Sequence, residues 1–178
     1  MILGLVRHFK VDFYPTKKIY SAGEFSAAMA RYEASPVIKN GLKFSTWDWD
    51  KCYCSTIPRA IETAEEIYNG EKIFTDLIVE VPVAPFTDRR IKLPSFLWHL
   101  GGRIAWYKNH SSQPEGRIDT LQRISQFIKE VESCRNSKIL VVTHGFFMRV
   151  FVEQLIKNGF KGNIDVRPEN GKLYQFTR

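Results

Sequence analysis

Short apolar runs alternate along the chain with stretches in which apolar residues recur every three or four positions. This is the pattern of a mostly parallel sheet covered by helices. Met1–Val6 and Ser137–Thr143 (SKILVVT) are near-continuous apolar runs, as strands buried on both faces require, and Lys51–Ser55 reads as a third, short strand. Ile73–Val81 is strand-like, and Lys172–Phe176 reads as a closing edge strand. Glu24–Ala34 predicts a helix with Phe25, Ala28, Met29 and Tyr32 on one face, stopped before Ser35-Pro36. Pro58–Tyr68 predicts another: Ser55 or Thr56 can cap it, Pro58 suits its first turn, and Ile57, Ala60, Ile61, Ala64 and Ile67 repeat at helical spacing. Arg117–Ser133 turns Ile118, Leu121, Ile124, Ile128 and Val131 inward, and Gly145–Lys157 follows as a further helix. Residues 82–113 fit neither period. The predicted fold is a three-layer α/β/α sandwich with a mostly parallel central sheet.

Composition narrows the class. A chain of 178 residues with 44% hydrophobic and 25% charged positions can bury a core as one domain, residues 1–178, and is not disordered. Three cysteines make a disulfide framework unexpected and point to a reducing, cytoplasmic setting. The opening apolar run is too short for a signal-peptide core, and no apolar stretch approaches the ~18 residues of a membrane span. The net charge of +7 admits nucleic acid, an anionic membrane or a phosphorylated substrate as partner. No basic block or nucleic-acid-binding motif accompanies it, so nucleic acid is not expected. The charge concentrates in part at residues 88–108, where Arg89, Arg90, Lys92, Arg103 and Lys108 stand among Phe96, Trp98, Trp106 and Tyr107.

The polar residues that could do chemistry fall at strand ends, where open α/β sheets bind ligands. Arg7-His8 follows the first strand, Ser55 ends the strand before Arg59, and His144-Gly145 follows SKILVVT. Glu80 lies near the end of the fourth apolar run. Arginine forks match phosphate oxygens, and a helix N-terminus adds N–H donors and a favourable dipole.

LVRHFKVD (5–12), CSTIPRAIETAEEI (54–67) and VVTHGFFMRVF (141–151) resemble, in order and spacing, the three signature segments of the histidine phosphatase superfamily, the phosphoglycerate-mutase-like proteins. The resemblance implies an active site at the C-terminal ends of the strands and a phosphatase that needs neither metal nor cofactor. His8 would be the nucleophile that becomes a phosphohistidine, while Arg7, Arg59 and His144, with Ser55 and Gly145, would hold the phosphoryl group of a small phosphomonoester. The family's general acid follows the strand after the Arg-Ala helix; Glu80 in DLIVEVPV (76–83) is its counterpart here, with Asp88 in FTDRR (86–90) as the alternative. Residues 82–113 occupy the place of the family's variable cap. A phosphoglycerate-mutase-type transfer and a non-catalytic phosphate-binding or regulatory protein are the other functions such a site could serve.

Several positions carry two readings. The family's glycine after the nucleophile is Phe9 here, which either points away into packing or reshapes the pocket wall. Lys10 either reaches a second anionic group or is solvated. Ser55 either donates to phosphate or only caps a helix. Thr143 reads as sheet packing, Cys52 and Cys54 as buried thiols on one strand face, and His99 and His110 as isolated. Trp47 and Trp49 are expected to cover the sheet edge. The segment 91–110 admits a lid, a peripheral membrane or partner surface, or core packing, and Gly101-Gly102 argues against one unbroken helix there.

Overall fold

In the computed structural model, which describes residues 1–39, 49–134 and 137–178, the elements run in this order: β1 (Ile2–Arg7), β2 (Ile19–Tyr20), α1 (Ala22–Ala34), β3 (Lys51–Ser55), α2 (Pro58–Ile67), β4 (Lys72–Thr75), a 3-10 turn (Asp76–Ile78), β5 (Leu93–Pro94), α3 (Ser95–Tyr107), α4 (Arg117–Ser133), β6 (Lys138–Thr143), α5 (Gly145–Lys157), β7 (Lys161–Gly162) and β8 (Leu173–Thr177). They fall into two units. The larger comprises Met1–Val11, Pro36–Glu80 and Arg123–Arg178; the smaller comprises Asp12–Ser35 and Val81–Gln122.

The larger unit holds a six-stranded sheet in the order β4-β3-β6-β1-β8-β7. β1, β3, β4 and β6 are mutually parallel where they pair, whereas β8 runs antiparallel to β1 and to β7. β8 is therefore not the edge expected for Lys172–Phe176; the two-residue β7, too short to show a period, covers it. The register sets Arg7 beside Thr143 and Val142 beside Cys54, so β1, β6 and β3 end side by side.

Alternation across the pleat sorts the core. On one face Val6, Cys52, Cys54, Leu140 and Val142 pack with Ala60, Ala64 and Ile67 of α2. On the other, Tyr53 meets Phe127 of α4 edge to face, and Phe127 and Phe147 flank Phe151 of α5. Cys52 and Cys54 are buried free thiols, as read, and burial pushes each up to about 12. Trp49 packs on the first cluster, its indole against Gly4 in the centre of the sheet. It covers a face, not the expected edge; Trp47 lies outside the described residues.

Two expected elements differ. The run Ile73–Val81 is a strand only as far as Thr75. There the Thr75 hydroxyl accepts the Leu77 N–H (3.2 Å), a local bond that competes with a ladder and starts the 3-10 turn, while Asp76 takes the hydroxyl of Thr56 from the start of the β3–α2 connection. The α2 cap is also different: Ile57 is its N-cap, with no side-chain cap bond, while Ser55 Oγ accepts the Ile57 N–H.

In the smaller unit, Ser21 and Glu24 form a reciprocal capping box that starts α1. Tyr20, Phe25, Ala28 and Trp98 make its core, and the Trp98 indole N–H donates to the Tyr20 carbonyl (2.8 Å). Here α3 runs unbroken through Gly101-Gly102, against the expectation. A Cβ on Gly101 would run into the Phe86 ring, and one on Gly102 would lie 3.0 Å from the Ala84 carbonyl oxygen. The glycines let the 83–86 segment lie against the helix, and that packing outweighs their helix propensity of about 1 kcal/mol each.

Candidate active site

Three adjacent parallel strands deliver the site. β1 ends in Arg7-His8, β3 ends in Ser55 just before α2 brings Arg59, and β6 leads into His144 at the start of α5. His8, Ser55, Arg59 and His144 are all buried, none more than 2% exposed. The two imidazoles face each other with centroids 5.1 Å apart.

Two hydrogen bonds settle the state of His8. Its Nδ1 lies 2.6 Å from the Phe9 carbonyl oxygen, which can only accept, so Nδ1 carries the proton. Its Nε2 receives the Nε–H of Arg59 at 3.3 Å, so Nε2 is the lone-pair nitrogen. Burial lowers the imidazole from its ordinary value near 6.5 to about 3; Arg59, and to a smaller extent Arg7, act in the same direction, against the Phe9 bond. His144 is lowered as well, first by burial and then by His8 and Arg59, and its Nε2 lies 2.7 Å from Ser55 Oγ. Two neutral imidazoles thus sit among fixed guanidinium charges.

Backbone contacts set the orientation of His8. Phe9 is fully buried in the α2-side core, which resolves the two readings in favour of packing. Its N–H donates to Thr63 Oγ1 (2.8 Å), and that hydroxyl donates to the Arg59 carbonyl (2.7 Å), tying the segment after β1 to α2. Asn170 Nδ2–H donates to the His8 carbonyl (2.7 Å), Gly171 N–H to the Arg7 carbonyl (2.8 Å), and Arg7 Nη1–H to the Pro168 carbonyl (2.8 Å). Thr63 and the 168–171 loop are parts of the site that sequence reading missed. The cluster Pro-Glu-Asn-Gly signals a turn, but nothing in it tells what the turn holds.

Gly145 lies close to the Arg7 guanidinium: a Cβ there would lie 2.9 Å from Arg7 Nε and 3.0 Å from its Cζ, so a larger residue would have to displace that group. Arg7 Nε and His144 Nδ1 are buried and have no hydrogen-bond partner among the described residues. Buried polar atoms left in such a state call for a partner.

Glu80 follows the 3-10 turn, not a strand end. Thr143 Oγ1 donates to the Ile78 carbonyl (2.5 Å) and Arg123 Nη1 to the Leu77 carbonyl (2.9 Å), which pins the turn. Thr143 is thus more than sheet packing. Glu80 accepts the N–H groups of Phe147 (2.9 Å) and Phe146 (3.3 Å) in the first turn of α5, where a helix leaves donors unsatisfied. Arg7, Glu80 and Gly145 line one cleft of about 270 Å³. Asp88 is exposed and belongs to the smaller unit; Lys10 is exposed.

A mostly parallel sheet whose adjacent strand ends gather two histidines and two arginines is, as a class, an α/β protein with its polar cluster at the C-terminal ends of its parallel strands. Residues 39–178 match the model of the histidine phosphatase superfamily (branch 1), and the chain belongs to that superfamily. The match does not include β1 or His8. Similarity to solved structures does extend over them: phosphoserine phosphatase of Entamoeba histolytica, in complex with phosphoserine, aligns at 16% identity and TM-score 0.60, covering 99% of this chain and 90% of that one. The alpha-ribazole phosphatase of Shigella flexneri aligns at 17% identity and TM-score 0.57, over 98% and 96% of the two chains. The mycobacterial glucosyl-3-phosphoglycerate phosphatase aligns at 16% identity and TM-score 0.56, over 98% and 88%. No curated protein matches the chain.

Proposed function

We propose that the protein is a phosphatase that hydrolyses a phosphomonoester through a phosphohistidine on His8, without metal. The observation that carries this reading is the protonation state of His8: Nδ1–H is held by the Phe9 carbonyl and the lone pair sits on Nε2 beside Arg59. In the first step Nε2 attacks phosphorus in line, the P–N bond forms and the bond to the leaving oxygen breaks. Arg7, Arg59 and His144, with Ser55, hold the phosphoryl oxygens, whose charge grows in the transition state. Glu80 protonates the leaving oxygen. In the second step a water gives its proton to the Glu80 carboxylate and attacks phosphorus, and the P–N electron pair returns to Nε2. Orthovanadate inhibition of 4-nitrophenyl phosphate hydrolysis tests the phosphoryl site.

The proton-donor role is tested by leaving-group dependence. Glu80→Gln should slow alkyl phosphates by about 10²-fold or more and 4-nitrophenyl phosphate far less, because nitrophenolate departs without a proton. Equal slowing of both would remove Glu80 from the role.

We also place the protein in the cytoplasm with a peripheral membrane contact. Its three cysteines are free, and no described helix is long and apolar enough to cross a membrane. On α3, Trp98, Gly102, Ala105 and Trp106 are buried, while Phe96, Leu100, Ile104 and Tyr107 form a stripe, each more than half exposed. Arg89, Arg90, Lys92 and Lys108 are exposed beside it in sequence. An apolar stripe with basic neighbours suits an anionic bilayer. Co-sedimentation with phosphatidylserine-containing vesicles, reduced by Leu100→Asp, is the expected result; no binding to them would end this reading.

A further inference from the structure

We propose that Arg149 and Arg167 form a second anion subsite beside the phosphoryl site, so that the substrate is a phosphomonoester bearing a second anionic group, a carboxylate or another phosphate. The inference rests on the phosphatase reading and narrows its substrate class. Both arginines line the 270 Å³ cleft that also contains Arg7, Glu80 and Gly145. Their placement follows from the elements that build the site. Arg149 lies four residues after Gly145 on α5, on the same helical face. Arg167 immediately precedes Pro168, whose carbonyl holds the Arg7 guanidinium.

Both guanidinium groups are exposed, and neither has an ion pair or hydrogen bond among the described residues. Acidic side chains do stand near them in sequence, but these are committed elsewhere. Glu153, four residues beyond Arg149, pairs with Lys157 at 2.7 Å. Asp165 and Glu169, on either side of Arg167, both pair with Lys172, at 2.8 and 2.9 Å, and Asp165 also accepts the Tyr174 hydroxyl (2.5 Å). The cleft is therefore lined by three guanidinium groups and one carboxylate, Glu80, which already accepts two backbone N–H groups. With Arg7 directed to the phosphoryl group, two arginine forks remain along the same wall, suited to a planar carboxylate or a second phosphate.

The test is equilibrium binding to the full chain carrying His8→Ala, which prevents turnover, with two pairs of probes. O-phosphoserine and phosphoethanolamine differ by a carboxylate; fructose 1,6-bisphosphate and fructose 6-phosphate differ by a phosphate. At least one doubly anionic member should bind about tenfold or more tighter than its partner, the increment of a charge-assisted contact. Which pair shows the preference identifies the anion. Adding Arg149→Ala and Arg167→Ala should bring that pair within about twofold, and lysine at both positions should retain part of the difference. Equal affinities within both pairs, a preference that survives the double alanine variant, or no binding of any probe would overturn the subsite. Failure of the phosphatase reading shows separately, as wild-type protein that does not hydrolyse 4-nitrophenyl phosphate in a His8-dependent way.

Discussion

Replacing His8 with alanine is expected to lower kcat/KM for 4-nitrophenyl phosphate by roughly three orders of magnitude or more, the scale of losing a covalent nucleophile. No other described group offers the same combination of a fixed tautomer and an Nε2 lone pair facing arginine. The variant should still bind inorganic phosphate, since Arg7, Arg59 and His144 are untouched. The same substitution carries a pH signature. His8 lies near 3 in the folded chain against 6.5 ordinarily, so below pH 6.5 the unfolded chain takes up a proton that the folded chain refuses. Stability is complete above that value and falls as pH drops from about 6.5 towards 3, at up to ~1.4 kcal/mol per pH unit for each such histidine. His144, shifted in the same direction, adds to the slope. Urea unfolding at pH 7 and pH 5 should show the loss in wild type and a smaller loss in His8→Ala. An unchanged difference would mean that His8 is not buried in its neutral form.

Arg59→Gln is the second large effect. A preorganised charge at developing phosphoryl oxygens contributes about 10²–10³ in rate, and Arg59 also donates to His8 Nε2 and is the strongest coulombic influence lowering that imidazole. The variant should lose activity on that scale, bind vanadate more weakly, and show the acid limb of kcat/KM displaced to higher pH, because His8 is then protonated more readily. Burial, the larger cause, persists, so the displacement is partial. Arg59→Lys restores charge without the fork and should recover part of the rate. A variant that loses rate with an unmoved pH profile would separate Arg59 from the state of His8.

The central strands were legible because β1 and β6 are near-continuous apolar runs, and Arg7, His8, Ser55 and His144 were legible because they stand at the ends of strands. Pattern failed where side chains bond locally or where packing outweighs propensity. Thr75 and Asp76 end β4 through hydrogen bonds that an apolar alternation conceals, which moved Glu80 from a strand end to the far side of a turn. Gly101 and Gly102 look like breakers until the Phe86 ring and the Ala84 carbonyl are set against them. Asn170 and Thr63 hold the His8-Phe9 segment through main-chain partners distant in sequence, and such bonds leave no periodic trace. Phe9, at a position the family fills with glycine, proved to be a core residue because its side chain faces α2 while its carbonyl serves His8.

The most direct measurement of the central claim is the stereochemical course at phosphorus, with a phosphorothioate monoester made chiral by oxygen isotopes and hydrolysed in isotopically labelled water by the wild-type chain. Attack by His8 followed by attack of water is two in-line displacements, so the account predicts retention of configuration. Inversion would mean that water attacks the ester directly, and the phosphohistidine mechanism would be wrong.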